Sequence, residues 1–464
     1  MSQNPVVIID DDPTGSQTVG RADLVFDVDR PLDMNQLSRP GSVTFLLANT
    51  RALDATATEA RTRRIARQLA AAPSFLTVIS RGDSTLRGHT ILEVTCLQEE
   101  FAAAGRGFDL VLFAPAFFDA GRRTVESVHE VSVRGGWTPV AETEYAADAT
   151  FGFTQSRLPD YLEEVSHGGV TADGVLHLGR ELLDSGDPAA IAKVLLGAKN
   201  GSWVTTDGRD AADYRLVASA ARRAQEQGRT ILFRAGPSMV QALTGQQSQP
   251  PAIDENGRLV TGTPRGPHGP HGLVVVGSHT ARTSEQFAEL VAVGDVRTVE
   301  LDVDRVGTPG FVDQVAAAVS RSLKEGTTAL HTSRSRRSSG DPVADLATAM
   351  LINDAVNATV RRVVETAPAY VIAKGGITSN EVARVGCQIH RAELLGQLFP
   401  GQVTLACAEE APDNLLGLPY AIFPGNVGEP SALAHAVAIM DSLVCIGSGP
   451  AAAGLWHTEE HPSS

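Results

Sequence analysis

The first candidate chemistry lies near the N-terminus. The apolar run Val6–Ile9 stops at Asp10, Asp11 and Asp12, and a Pro13-Thr14-Gly15-Ser16 turn follows. Three adjacent carboxylates repel one another, so they require a cation, nearby arginines or full solvation. A buried strand that ends this way delivers acids to the rim of a parallel sheet, where open α/β folds bind ligands. Three further runs end in functional groups. Asn49-Thr50-Arg51 follows Val43–Ala48. Arg51 can lie over the sheet edge and grip a carboxylate with both arms, or it can pair with the three acids. Ser80–His89 follows Phe75–Ile79 and packs Arg81, Gly82, Asp83, Ser84, Thr85 and Arg87 into one loop. Such a loop offers N–H groups, guanidinium charge and hydroxyls to a polar anion. Thr90 and Glu93, just beyond it, have capping-box spacing. Ala114–Phe117 leads to Arg122, Arg123 and His129, and then to Glu142–Asp148, a candidate rim for the same site. His129 taken alone reads as a core or surface histidine.

The second half repeats the device with glycines. Val274–Val276 runs into Gly277-Ser278-His279-Thr280, and Thr283 and Ser284 then cap a helix. Ala373-Lys374 runs into Gly375-Gly376-Ile377-Thr378, where Thr378 and Glu381 read as a capping box. Phe423-Pro424-Gly425-Asn426 is a third turn of the kind. Three glycine turns in one sheet can supply N–H donors to phosphates, which points to a nucleotide. The chain has no GxxxxGK[ST], no well-placed GxGxxG, no GxSxG and no HExxH. P-loop, dinucleotide, elbow-serine and zincin chemistry are therefore disfavoured.

The elements that must position these residues alternate in kind. In the first half, strand-length runs at Val6–Ile9, Leu24–Val28, Val43–Ala48, Phe75–Ile79 and Leu110–Ala114 are separated by helical patterns such as Ala55–Ala72 and Thr90–Ala104. More strands are expected at Gly174–Leu178, Trp203–Thr206 and Thr230–Phe233, with a helix over Ala211–Gln227. Residues 245–271 are rich in Pro, Gly and Gln and lose periodicity, as a linker does. A second series follows, with strands at Leu273–Val276, Thr298–Leu301, Thr328–Thr332, Tyr370–Ala373 and Tyr420–Phe423. This pattern predicts an α/β protein of two α/β domains with mostly parallel sheets. Residues 1–244 form the first domain, 245–271 a linker, 272–446 the second domain and 447–464 a flexible tail.

Bulk composition narrows the partners. The 464 residues hold 39 basic and 54 acidic side chains, a net charge of −15, which argues against nucleic acid and anionic membrane. Cys96, Cys387, Cys407 and Cys445 show no CxxC spacing, so a reducing compartment fits better than a disulfide or zinc framework. No signal peptide and no run near the roughly 18 apolar residues of a membrane span is expected, which predicts a soluble cytoplasmic protein. A homodimer stands open.

The motifs DDDPTGSQTV, NTR, SRGDSTLRGH, APAF…GRRTV, VVVGS, TSR, AKGGITS and FPGNVGEPSALAHAV occur in that order. Together they cover nearly the whole chain, and the chain resembles the four-carbon acid sugar kinase family. The resemblance implies an N-terminal acid-sugar-binding domain, a C-terminal ATP-binding domain and an active site in the interdomain cleft. It implies ATP and Mg²⁺ as cofactors and a tetronate such as threonate, erythronate or 3-oxo-tetronate as substrate, phosphorylated at its terminal hydroxyl. Carried over residue by residue, substrate contacts fall on Asp11, Asp12, Arg51, Arg81, Gly82, Asp83 and Ser84. Nucleotide contacts fall on Ser278, Gly375, Gly376, Ile377, Thr378 and Gly425. Metal ligands are not assigned. Many members carry Lys at the position of Arg81 and an acid at that of Ile377, and the 141–158 stretch marks a subgroup, so the sugar stays open.

The expected roles follow. Arg51 and Arg81 hold the substrate carboxylate and hydroxyls, Asp12 sits at the attacking hydroxyl as base or orienting group, and Asp10 is a structural neighbour. Mg²⁺ lies between the nucleotide phosphates and an acid, and closure about the linker excludes water. Two alternatives remain: a kinase for a branched oxo-acid such as 3-oxo-isoapionate, and a non-catalytic acid-sugar sensor. A nicotinamide-dependent oxidoreductase lacks its fingerprint.

Overall fold

The computed structural model describes residues 4–444 apart from 13, 134, 256, 265, 267 and 334–341. The expected tail, Cys445 and Arg334 of the TSR motif lie outside the described residues. Strands β1 (Val6–Asp10), β2 (Ala22–Val25), β3 (Val43–Leu47), β4 (Thr77–Arg81) and β5 (Leu110–Ala114) come first. A small antiparallel sheet, β6 (Arg122–Val125), β7 (Val128–Val133) and β8 (Gly136–Pro139), interrupts the series. Then come β9 (Leu176–Leu178), β10 (Ser202–Thr206) and β11 (Ile231–Ala235). The second series is β12 (Leu273–Val276), β13 (Arg297–Leu301), β14 (Thr328–Thr332), β15 (Val371–Lys374), β16 (Arg391–Phe399), β17 (Val403–Glu410) and β18 (Pro419–Phe423).

The chain forms two compact units. One holds the residues up to Ala22 together with Val28–Gln247; the other holds Asp23–Asp27 together with the residues from Ser248 on. In the first unit the strands run parallel in the order β3-β1-β4-β11-β5-β10-β9. β1, β3, β4, β5 and β11 are buried along their whole length, which explains their unbroken apolar runs. Each fully buried Ile, Leu or Phe on them contributes about 1.5–3 kcal/mol. The chain passes from β1 to β3 on one side and then to β4 on the other. The crevice between β1 and β4 is thus a switch point, the place where such sheets bind ligands.

The second unit places β13, β14, β12, β15 and β18 in parallel order, and the antiparallel strands β17 and β16 follow. Its own switch point lies between β12 and β15. The long β16–β17 hairpin was not expected from the sequence. Asp23–Asp27 joins this unit through the amide of Phe26, which donates to the His390 carbonyl at 2.9 Å. The stretch read as a linker is hydrogen-bonded along the same unit. The Gln397 amide donates to the Gln249 carbonyl at 2.8 Å, and the Gly262 amide to Glu393 at 2.8 Å.

Three expected helix caps are corrected. His89, not Thr90, precedes the helix Thr90–Ala103, and Glu93 turns its carboxylate to Arg234 and Thr50 instead of the helix end. Thr378 lies inside the helix Gly376–Glu381, and Glu381 pairs with Arg384 at 3.0 Å. Thr280 caps Ala281–Val293 by accepting from the Thr283 amide. In the first two, burial or ion pairing outcompetes the cap.

Candidate functional site

Strand register builds the first cluster. Asp10 stands level with Arg81 on the neighbouring strand, and Arg81 stands level with Ala235. The Arg81 guanidinium donates to Asp10 at 2.8 Å and lies 3.7 Å from Asp11. Asp10 is fully buried, and burial pushes its carboxyl up to about 7 against the pull of Arg81. The Asp12 amide donates back to Asp10 at 3.1 Å. Asp12 itself accepts from the Thr14 amide at 2.8 Å and hydroxyl at 2.6 Å, and pairs with Arg51. Arg51 reaches Asp83 at 3.5 Å with its other arm, and the Arg87 Nε donates to Asp83 at 2.8 Å. Burial works against the Asp83 charge, but Arg51 and Arg87 hold its carboxyl below the usual range.

Asp11 is the exception. It is 2% exposed, yet among the described residues neither carboxylate oxygen has a hydrogen-bond donor. A buried carboxylate without donors is costly unless a ligand or water supplies them.

Beneath this cluster lies a second buried pair, Arg234 with Glu93. Arg234 also donates to the Ser80 hydroxyl at 2.7 Å and the Thr90 hydroxyl at 3.2 Å, and Thr50 donates to Glu93. Gly82, Asp83, Thr90, Pro115, Arg234 and Gly236 line a small cleft here. His129 is buried among these loops. Its Nε2 lies 2.8 Å from the Ser84 carbonyl, which can only accept, so Nε2 carries the proton. Nδ1 then accepts from the Thr124 hydroxyl at 3.0 Å. Burial drives its pKa down to about 4, and Arg122 adds to the fall. His129 is therefore a neutral strut for the Ser84 loop.

The second cluster sits at the other switch point. Lys374 stands level with Val276 on one side and Phe423 on the other. Gly375 adopts φ +123, a region that side chains avoid, and a Cβ there would lie 3.0 Å from both Ser278 and Thr378. A Cβ on Gly425 would lie 2.8 Å from the Ser278 hydroxyl. Ser278, the Gly375–Thr378 turn and Gly425 thus meet in one cradle of small groups. The Gly425 carbonyl accepts from Thr280 at 2.7 Å and Thr283 at 2.8 Å. The buried Gln286 amide holds the Val427 carbonyl at 2.9 Å and that of Glu429 at 2.8 Å. Lys374 donates to the Pro424 carbonyl and lies 4.0 Å over the Phe423 ring. Burial, aided by Arg282, brings Lys374 down to about 7. Gly376 opens the helix and Ile377 stands 58% exposed beside it.

Two family models match. One, described as a sugar-binding N-terminal domain, covers residues 6–243; the other, a nucleotide-binding C-terminal domain, covers residues 273–433. The chain belongs to the four-carbon acid sugar kinase family. The acid–arginine cluster lies in the sugar-binding domain of this family member, and the glycine cradle in its nucleotide-binding domain. Solved structures share the fold. Haemophilus influenzae protein HI1011 is 15% identical with a TM-score of 0.65, and the match covers 94% of this chain and 100% of that one. A Salmonella typhimurium LT2 protein named as a candidate tRNA synthase is 18% identical with a TM-score of 0.69, over 94% of this chain and 98% of that one. No curated protein matches the chain.

Within this family member, Asp10–Asp12, Arg51 and Arg81–Ser84 gather at one switch point, and Ser278, Gly375–Thr378 and Gly425 at the other. Sequence reasoning read Glu93 only as a helix cap and passed over Arg234 and Lys374 as site residues. An arginine closing the apolar run of β11 and a lysine closing that of β15 were the available signals. Among the described residues no group of three or more His, Cys, Asp or Glu is placed to hold a metal ion.

Proposed function

We propose that the chain is an ATP-dependent kinase that phosphorylates a four-carbon acid sugar, such as threonate, erythronate or 3-oxo-tetronate, at its terminal hydroxyl. Asp11 carries this reading. A buried carboxylate with two idle oxygens, set among arginines in a sugar-binding domain, suits a ligand that brings several hydroxyl donors at once. Asp12 takes the role at the attacking hydroxyl. It is the most solvent-reachable of the three acids, and Arg51 and Thr14 fix its orientation. Arg81 and Asp10 act as the buried brace beneath it. The loop Gly82–Ser84, pinned by His129, shapes the floor.

The residues of the second cluster fit a nucleotide. Gly375 and Gly425 leave no room for side chains against Ser278 and Thr378, so bare backbone turns and two hydroxyls lie close together, an arrangement that suits a phosphate chain. ATP would supply the transferable phosphoryl group there, with Mg²⁺ carried on its phosphates. Positioning and charge neutralisation are what such a transfer asks of the protein. The test is ADP release with ATP and Mg²⁺ over threonate, erythronate, their 2- and 3-oxo forms and 3-oxo-isoapionate. Release that depends on one of these acids supports the reading. Equal, acid-independent release across the set refutes it.

A further inference from the structure

Arg51 and Arg81 are the arginines that sequence alone nominates for the substrate carboxylate. In the structure both are already engaged by acids. Arg81 faces Asp10 and Asp11, and Arg51 faces Asp12 and Asp83. Arg87 faces Asp83 and, at 3.8 Å, Asp148, while Arg234 faces Glu93. Arg122 differs from these four. Among the described residues it has no carboxylate partner; its Nε, like that of Arg81, is buried without a hydrogen bond. In a chain of net charge −15, a half-buried guanidinium without an acid beside it suits an anion.

Its setting is built. Two backbone hydrogen bonds with Phe117, at 3.1 and 2.9 Å, fix Arg122 at the start of β6. Arg122 and Thr124 share one face of that strand, and Thr124 leads through His129 to the Ser84 carbonyl. The guanidinium donates to the Tyr145 hydroxyl at 3.4 Å, and its carbon lies 5.9 Å from the ring centre. Arg87 lies 5.2 Å from the same ring. Tyr145 belongs to the 141–157 stretch, which returns to the sugar-site loops. Asp148 there accepts from the Thr150 and Phe151 amides, and Phe151 sets its edge on His89 at 4.9 Å.

We propose that Arg122, oriented by Tyr145 and flanked by Arg87, is the seat for the carboxylate of the substrate acid, leaving Asp11 for its hydroxyls. The proposal rests on the acid-sugar reading above. Arg122 has a planar fork to offer a planar anion. Tyr145, accepting from Arg122, keeps its own O–H free to donate to the same carboxylate. Tyr145 is thus a positioning residue for Arg122 as well as a contact.

The test compares threonate with its uncharged amide, threonamide, by calorimetry on the full chain. Wild type should prefer threonate. Arg122→Met should weaken threonate by about fiftyfold and threonamide by only about a few-fold, because the amide oxygen loses an ordinary hydrogen bond where the carboxylate loses a charged one. Arg122→Lys and Tyr145→Phe should fall between. Unchanged threonate affinity in Arg122→Met overturns the proposal. So does an equal loss of both ligands in a folded Arg122→Lys, which marks a structural role. Inorganic phosphate that binds wild type as tightly as threonate would reassign the seat to a phosphate and overturn it too. Charge-selective threonate binding with no acid-dependent ADP release across the whole set would sink the kinase reading and leave the seat standing. A wild type that binds none of the acids of the ADP-release set sinks both.

Discussion

Replacing Lys374 with methionine tests whether the nucleotide-binding unit houses a buried cation that meets no acid among the described residues. Lys374 is fully buried, and its contacts are the Pro424 carbonyl and the Phe423 ring. Its pKa falls from 10.5 to about 7. Between those values the unfolded chain binds more protons than the folded one, so stability rises with pH across the window and is lost as pH falls through it. From pH 7 to pH 9.5 the wild-type unit should gain about 3 kcal/mol that Lys374→Met does not gain. At pH 7 the variant should be the more stable, since its lost hydrogen bond and ring contact, worth about 1–3 kcal/mol together, do not cancel the charge penalty. Nucleotide affinity should fall all the same, because the Pro424 anchor beside Gly425 is gone. The assay is urea unfolding read by hydrogen exchange on peptides from β15 and β18, in both proteins at both pH values. Parallel pH slopes would show that Lys374 titrates at its ordinary value and would refute the reasoning.

Three other outcomes are expected. His129, held near 4 in the folded state against 6.5 unfolded, should cost about 3 kcal/mol of stability as pH falls from 6.5 to 4, and its ring NMR signals should not titrate above pH 5. Arg234→Met strands the buried Glu93 and should lower stability by about 3–5 kcal/mol in urea, with Glu93→Gln in the same chain recovering part of the loss. Asp12→Asn should cut turnover by on the order of a hundredfold with the fold unchanged by circular dichroism, and near-normal turnover would remove Asp12 from the acceptor hydroxyl.

The parallel strands were legible because burial on both faces forces continuous apolar runs, as in Val6–Ile9 and Leu110–Ala114. The β16–β17 hairpin was not. Its register slips at Leu394/Gly396, where Gly396 takes φ +137, so no clean alternation survives in the sequence. The β6–β8 sheet hid for another reason: its strands carry Arg, Thr, His, Glu and Trp, which read as a loop. At the site, strand ends announced which residues gather. Which acid meets which arginine depended on register between strands far apart in sequence, as with Asp10 and Arg81 or Glu93 and Arg234. That information is three-dimensional, and it moved the carboxylate from Arg51 and Arg81 to Arg122 in our reading.

The small segment Asp23–Asp27 has a consequence for biosynthesis. The His390 carbonyl that receives the Phe26 amide is made 364 residues later (390 − 26). At about 5–20 residues per second, the nascent chain must carry this segment without its partner for roughly 20–70 s. Phe26 is 1% exposed in the finished protein, so for that interval an aromatic side chain destined for the interior waits in solvent or in the grip of a chaperone. Gene fragments that end before residue 390 would leave that wait without an end.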